Sequence, residues 1–202
     1  MFHFCQIIAA PFIRFFFPTK FIGKKMITTG ACVIASNHTS NLDVPLLAVH
    51  TWEKKYYLAK KELFKNKFVA FFAKKWGGIP IDRAGNDVVA IKECLKTLKN
   101  NKKLVIFPEG TRQNNENMEL GEVKQGTAML AIKGKVPIVP MFILNKPKFW
   151  RRNKVFFGEP FELSDFYGKR LGSEEMAQAS KIVEEKINEL RKFAMKSLTK
   201  KK

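Results

Sequence analysis

Short, largely apolar runs alternate along this chain with longer stretches whose apolar positions recur at helical spacing. The runs ACVIAS (31–36), KYYLAK (55–60), GIPI (78–81), KLVIF (103–107), VPIVPMFI (136–143) and KVFFG (154–158) have the length and composition of strands. KLVIF is apolar enough to be buried on both faces, and Pro80, which has no N–H to give, marks GIPI as an edge strand. Between the strands, VPLLAV (44–49) continues as a helix. The stretch 62–76 places Phe64, Phe68, Phe71 and Phe72 at helical spacing with lysines between them, a stripe suited either to the core or to lipid. A helix over 87–100 is opened by Asp87, carries Val88, Ile91, Leu95 and Leu98 on one face, and is closed by lysines. Another spans 123–134 and stops at Gly134, and a long final helix starts near Ser173 with Glu174 and Glu175 in its first turn. Alternating strands and helices predict an α/β fold, a single domain with a mixed, mostly parallel sheet covered by helices on both faces. No internal repeat or second-domain boundary interrupts the pattern, and the Asn-rich 113–117 reads as a surface loop.

Composition narrows the class. The chain has 202 residues, 46% of them apolar, enough for one well-packed domain and too few for a polytopic membrane protein. A net charge of +19 calls for a polyanionic partner, either nucleic acid or an anionic bilayer. The 19 phenylalanines, many set among lysines, favour the bilayer, where interfacial segments combine the two residue types. Cys5, Cys32 and Cys94 are isolated, without CxxC spacing or a neighbouring histidine, which argues against a disulfide framework or a zinc site.

The N-terminal MFHFCQIIAAPFIRFFFPTKFIGKK lacks the basic-then-apolar order of a secretory signal. Pro11 and Arg14 interrupt it short of the roughly 20 apolar residues a spanning helix needs. Residues 1–25 are therefore expected to form an interfacial, amphipathic membrane-associating segment ahead of a domain over 26–202. The competing expectation is a helix packed on the protein's own core.

In open α/β sheets, reactive groups gather just past the carboxyl ends of strands. Three ends here carry unusual polar residues: ASNHTSNLD (35–43), GIPIDR (78–83) and VIFPEGTR (105–112). The Ser40–Asp43 spacing matches a capping box, so Asp43 has a purely structural reading. On a regular helix His38 and Asp43 would point about 140° apart and not meet. Pro45 fits only a first helical turn, however, which puts Asp43 at a helix start and His38 in a loop free to fold back. The carboxylate would then fix the imidazole's tautomer and stabilise its protonated form, as a general base requires. No GxSxG elbow or neighbouring cysteine supplies a nucleophile. The pair suits a reaction in which a substrate hydroxyl attacks. Lys60, Arg83 and Arg112, cations at strand ends, together favour a phosphate site.

These stretches resemble the motifs of the glycerolipid acyltransferases. His38-Thr-Ser-Asn-Leu-Asp43 is similar to the HX4D motif. Gly78-Ile-Pro-Ile-Asp-Arg83, Phe107-Pro-Glu-Gly-Thr-Arg112 and Val136-Pro-Ile-Val-Pro140 are similar to the second, third and fourth motifs, in the family's order. AKKEL (59–63) resembles the segment before the second, and Pro80 stands where the family commonly has a bulkier residue. The nearest branch is the 1-acylglycerol-3-phosphate acyltransferases. The resemblance implies acyl transfer from a thioester, on acyl carrier protein or coenzyme A, to lysophosphatidate, giving phosphatidate. In that reading His38 is the base, Asp43 orients it, and Lys60, Arg83 and Arg112 hold the phosphate. Glu109, Gly110 and Thr111 shape the site, with N–H groups near Gly110 a source of oxyanion stabilisation. No metal or cofactor is implied. The expected location is the cytoplasmic face of a membrane, in bacteria the inner one, with anionic lipids as partners and no nucleic acid. The alternatives are transfer to another lysophospholipid and, from a different class, a non-catalytic basic protein that binds RNA or membranes.

Overall fold

All of Cys32–Ser36 is buried, as a strand covered on both faces must be, and this run (β2) is the middle strand of a seven-stranded sheet. The computed structural model describes residues 2–23, 27, 29–51, 53–82, 87–112 and 120–199. Its other strands are β1 (Thr19–Ile22), β3 (Lys55–Lys60), β4 (Gly78–Ile81), β5 (Lys103–Ile106), β6 (Ile138–Ile143) and β7 (Asn153–Phe157), in the spatial order β1-β7-β6-β2-β5-β3-β4. All neighbours pair parallel except β6 and β7, so the sheet is mixed and mostly parallel, as the alternation predicts. Pro80 lies on the edge strand β4, where its missing N–H costs no ladder bond.

The strand period of two divides the core into two layers. Val33, Leu104, Ile106, Ile138 and Phe142 point into one, filled from outside by Ala90, Cys94 and Leu98 of α4 (Val88–Lys99), by α5 (Gly126–Gly134) and by α6 (Ser173–Thr199). Ile34, Val105, Val139 and Met141 point into the other, against Leu47 of α2 (Asp43–His50). On the α2 side, α1 (Phe2–Phe16) packs against α2, and α3 (Lys67–Lys75) touches α1 and β4. Cys32 and Cys94 are buried, and burial pushes the Cys94 thiol up to about 12.

Several expectations change. Residues 19–22, assigned by sequence to the membrane-associating segment, form β1, in parallel register with β7 from Thr19↔Asn153 to Ile22↔Phe156. The helix expected over 62–76 is broken. A 3-10 turn at Lys61–Phe64 precedes Asn66, whose side-chain oxygen accepts from the N–H groups of Phe68 and Val69 and starts α3 afresh. The buried face of α4 is Ala90, Cys94 and Leu98, with Ile91 and Leu95 half-buried and Val88 exposed. Asp87 does cap that helix, accepting from Ala90 N. Finally, α5 begins at Gly126 and not near 123, and the left-handed residue that ends it is Lys135 (φ 49°), one past Gly134.

Candidate active site

Parallel pairing of β2 with β5 runs to Ala35↔Ile106, so the carboxyl ends of these two strands lie side by side. The two richest polar signatures of the sequence, at 35–43 and 105–112, therefore meet. Asn37 anchors the first. Its amide nitrogen donates to Ile143 O (3.0 Å) and its oxygen accepts from Ile143 N (2.8 Å), a two-way clamp onto the end of β6.

His38 follows, and the loop folds back. His38 Nδ1 lies 2.8 Å from Asp43 Oδ2. The same oxygen accepts the N–H groups of Thr39 and Ser40, both at 2.8 Å, while Oδ1 accepts from the Thr39 hydroxyl at 3.1 Å. The expected capping box does not form, since α2 starts after Leu42 with no side-chain cap. The bond from Ser40 N belongs to the preceding turn, so one carboxylate holds both that turn and the imidazole. Asp43 is also the first residue of α2, where the helix dipole favours a negative charge. Its side chain is fully buried, whereas that of His38 keeps 14% of its surface exposed. A carboxylate only accepts hydrogen bonds, so Nδ1 carries the ring proton and Nε2 is left with a lone pair. The ring's plane is fixed a second time by Phe107, stacked on it at 4.1 Å and 18°.

The second signature forms a tight turn. Gly110 N donates to Phe107 O (3.0 Å), and Gly110 has φ 69°, a conformation that side chains resist. Glu109 is buried and bridges two segments: Oε1 accepts from His38 N (3.1 Å) and Oε2 from Gly121 N (2.9 Å). Burial pushes the Glu109 carboxyl above its ordinary value, and the N–H groups of Gly121 and His38 partly oppose the shift. Thr111 and Arg112 stand exposed beyond the turn.

Of the sequence-assigned residues, His38, Asp43, Glu109, Gly110, Thr111 and Arg112 belong to these two neighbouring segments. Lys60 ends β3, separated from β2 by β5, and its ammonium lies 3.7 Å from Glu62 Oε2. Arg83 lies outside the described residues. Sequence reasoning missed the Asn37 clamp, the Phe107 stack and Lys124, whose N–H donates to Pro108 O at 3.0 Å. Adjacency in motif hinted at Phe107. Nothing local hinted at Lys124, whose place depends on chain closure. Among the described residues, no three His, Cys, Asp or Glu side chains gather as a metal site.

The arrangement can accept a proton at Nε2 of a fixed imidazole beside a turn that carries an exposed arginine. Comparison with known proteins identifies the setting. The family model described as Acyltransferase matches residues 18–144. The chain is 35% identical over 164 residues to the 1-acyl-sn-glycerol-3-phosphate acyltransferase of Bacillus subtilis (strain 168), covering 78% of this chain and 80% of that protein. It is 36% identical over 136 residues to the Helicobacter pylori (strain J99) protein of the same name, covering 66% of this chain and about half (54%) of the relative. The crystal structure of the 1-acyl-sn-glycerophosphate (LPA) acyltransferase PlsC from Thermotoga maritima shares the fold, with a TM-score of 0.69 at 24% identity over 94% of this chain and 79% of that one. With the family model spanning most of the sheet and the Bacillus relative aligned over most of both chains, this chain belongs to the acyltransferase family.

Proposed function

We propose that the protein transfers a fatty acyl group from an acyl thioester, carried by acyl carrier protein or coenzyme A, to the free hydroxyl of 1-acylglycerol-3-phosphate, giving phosphatidate. The observation that carries the mechanism is the 2.8 Å bond from His38 Nδ1 to Asp43 Oδ2, which leaves Nε2 as the base. The names of the relatives support the acceptor.

The acceptor hydroxyl gives its proton to His38 Nε2 as its oxygen attacks the thioester carbonyl. The new C–O bond forms, the C–S bond breaks, and the departing thiolate takes the proton back from the imidazolium. The fully buried Asp43 carboxylate stabilises that imidazolium. The acceptor itself is the nucleophile, so no acyl-enzyme is needed. Arg112 holds the phosphate, with Lys60 and Arg83 as the further cations of that reading. The Gly110 N–H is bonded to Phe107 O, so oxyanion stabilisation falls to other backbone N–H groups of that turn. Glu109 keeps the turn fastened to the backbone of His38. The enzyme works peripherally on an anionic membrane, at its cytoplasmic face. Among the described residues no helix is long and apolar enough to cross a membrane.

The test offers the purified full-length protein lysophosphatidate with acyl carrier protein and coenzyme A donors separately, and identifies the product by mass spectrometry. Phosphatidate is expected with at least one donor. His38→Ala should slow its formation by about 10²–10⁴-fold without loss of vesicle binding. Turnover of His38→Ala near that of the parent refutes the base assignment.

A further inference from the structure

Of the cations assigned from sequence, Arg112 stands beyond the 107–110 turn, and Lys60 ends β3 with its ammonium 3.7 Å from Glu62 Oε2. A lysine without such an assignment lies directly on the turn. The segment 121–124 is fastened across the 107–110 turn by two bonds, Lys124 N to Pro108 O (3.0 Å) and Gly121 N to Glu109 Oε2 (2.9 Å). From that seat the Lys124 side chain runs over Gly110. A Cβ placed on Gly110 would come within 3.2 Å of both Lys124 Cε and Nζ. The ammonium therefore rests against the bare face of a glycine whose preceding residue, Glu109, accepts a bond from His38 N.

Two features leave that charge available to a ligand. Among the described residues Lys124 forms no ion pair. The helix that follows, α5, starts without a side-chain cap at Gln125, and a Cβ on Gly126 would meet nothing within 4 Å. Positive potential from its first turn adds to that of the ammonium in open space.

We propose that Lys124 binds the phosphate of the acyl acceptor, forming with Arg112 a cationic lip on the turn that abuts the His38–Asp43 pair. The proposal rests on the lysophosphatidate reading above. Arg112 supplies a planar fork and Lys124 a mobile point charge, so a phosphomonoester can be gripped from two sides of one turn. Gly110 is needed for its φ of 69°, and its bare face lets the ammonium lie close to the turn.

The experiment measures both substrates' kinetics, acceptor at saturating donor and donor at saturating acceptor, for the full-length parent and for Lys124→Ala, Lys124→Gln and Lys124→Arg. Lys124→Ala and Lys124→Gln should raise KM for lysophosphatidate about 10- to 100-fold, as expected for losing a charge-assisted hydrogen bond. Their kcat and donor KM should hold within about threefold, and Lys124→Arg should recover most of the acceptor affinity. Inorganic phosphate should also compete less well against the acceptor in Lys124→Ala. A KM change confined to the donor places the ammonium on a donor phosphate and overturns the proposal. So does an unchanged acceptor KM in Lys124→Ala while the parent makes phosphatidate, an outcome that leaves the function itself standing. A parent that makes no phosphatidate overturns both.

Discussion

Asp43 satisfies two demands with one carboxylate, and the substitution that separates them is Asp43→Asn. An amide whose oxygen stays at the Oδ2 position still accepts from His38 Nδ1, Thr39 N and Ser40 N. Its NH2 would face the Thr39 hydroxyl, which can turn from donor to acceptor. The turn and the ring's tautomer survive, and only the negative charge is lost. Asp43→Asn should therefore melt within a few degrees of the parent while kcat falls about 10²-fold or more. Wild-type kcat in that variant would reduce Asp43 to a brace for the turn. Glu109 gives a pH-dependent signature. Its folded-state pKa is raised by burial, so folding takes up a proton as pH passes upward from the ordinary value of 4.5. Its contribution is therefore greatest below 4.5 and is lost as pH rises through the folded value. Against Glu109→Gln, which does not titrate, the parent's stability should decline over that window, as read from denaturant midpoints at a series of pH values. A flat difference would show that Glu109 is no harder to ionise in the fold. At this scale the sequence was legible wherever spacing carried the chemistry, as in His38 and Asp43. It was not legible where a contact needed the sheet to close, as for Asn37 with Ile143, or Lys124 with Pro108.

Among the elements, strands were read more faithfully than helices. KYYLAK is β3 residue for residue, since an apolar run with flanking polar groups has one way to sit in a parallel sheet. The stretch 62–76 misled because periodicity is blind to Asn66, whose cap restarts the helix and turns Phe68 and Phe71 outward. Strand β1 was hidden because its four residues carry no pattern of their own and pair only with a distant strand. The N-terminal helix shows how little a choice between two faces means for an amphipathic element. Ala10 and Gln6 are buried, and Gln6 Nε2 donates to Ala48 O and Thr51 O, each at 2.9 Å, while Arg14 Nη2 reaches Val49 O at 2.6 Å. These carbonyls close α2, so α1 caps the helix that Asp43 begins. Gln6→Leu leaves two buried carbonyls without their donor and should cost about 1–3 kcal/mol in chemical denaturation. No measurable loss would mean that α1 is only loosely applied to α2.

Across the whole molecule, the other face of α1 is apolar and open. Phe12, Phe15 and Trp150 are 64, 68 and 66% exposed, and Phe15 and Phe16 pack edge-on or stacked against Trp150. On the adjoining α3, Phe68 and Phe71 are exposed as well. An apolar face on a chain of net charge +19 predicts binding with two components. Salt should weaken adsorption to anionic vesicles without abolishing it, because it screens the lysines and leaves apolar insertion untouched. Replacing Phe12, Phe15 and Trp150 together by serine should remove the salt-resistant part in co-sedimentation, and full release of the parent by moderate salt would refute it. Point changes are the better probe here, since deleting residues 1–22 also removes β1 and the cap on α2. The turn after β5 bears on how such an enzyme can be altered. On the proposed assignments the base and its partner belong to one stretch of chain, 38–43, and Arg112 and Lys124 to another, and the Glu109 carboxylate is hydrogen-bonded to both, through His38 N and Gly121 N. Those assignments would make recognition and reactivity separable: exchanging Arg112 and Lys124 while keeping Glu109, Gly110 and Gly121 would retarget the head group and leave the His38–Asp43 bond as it is.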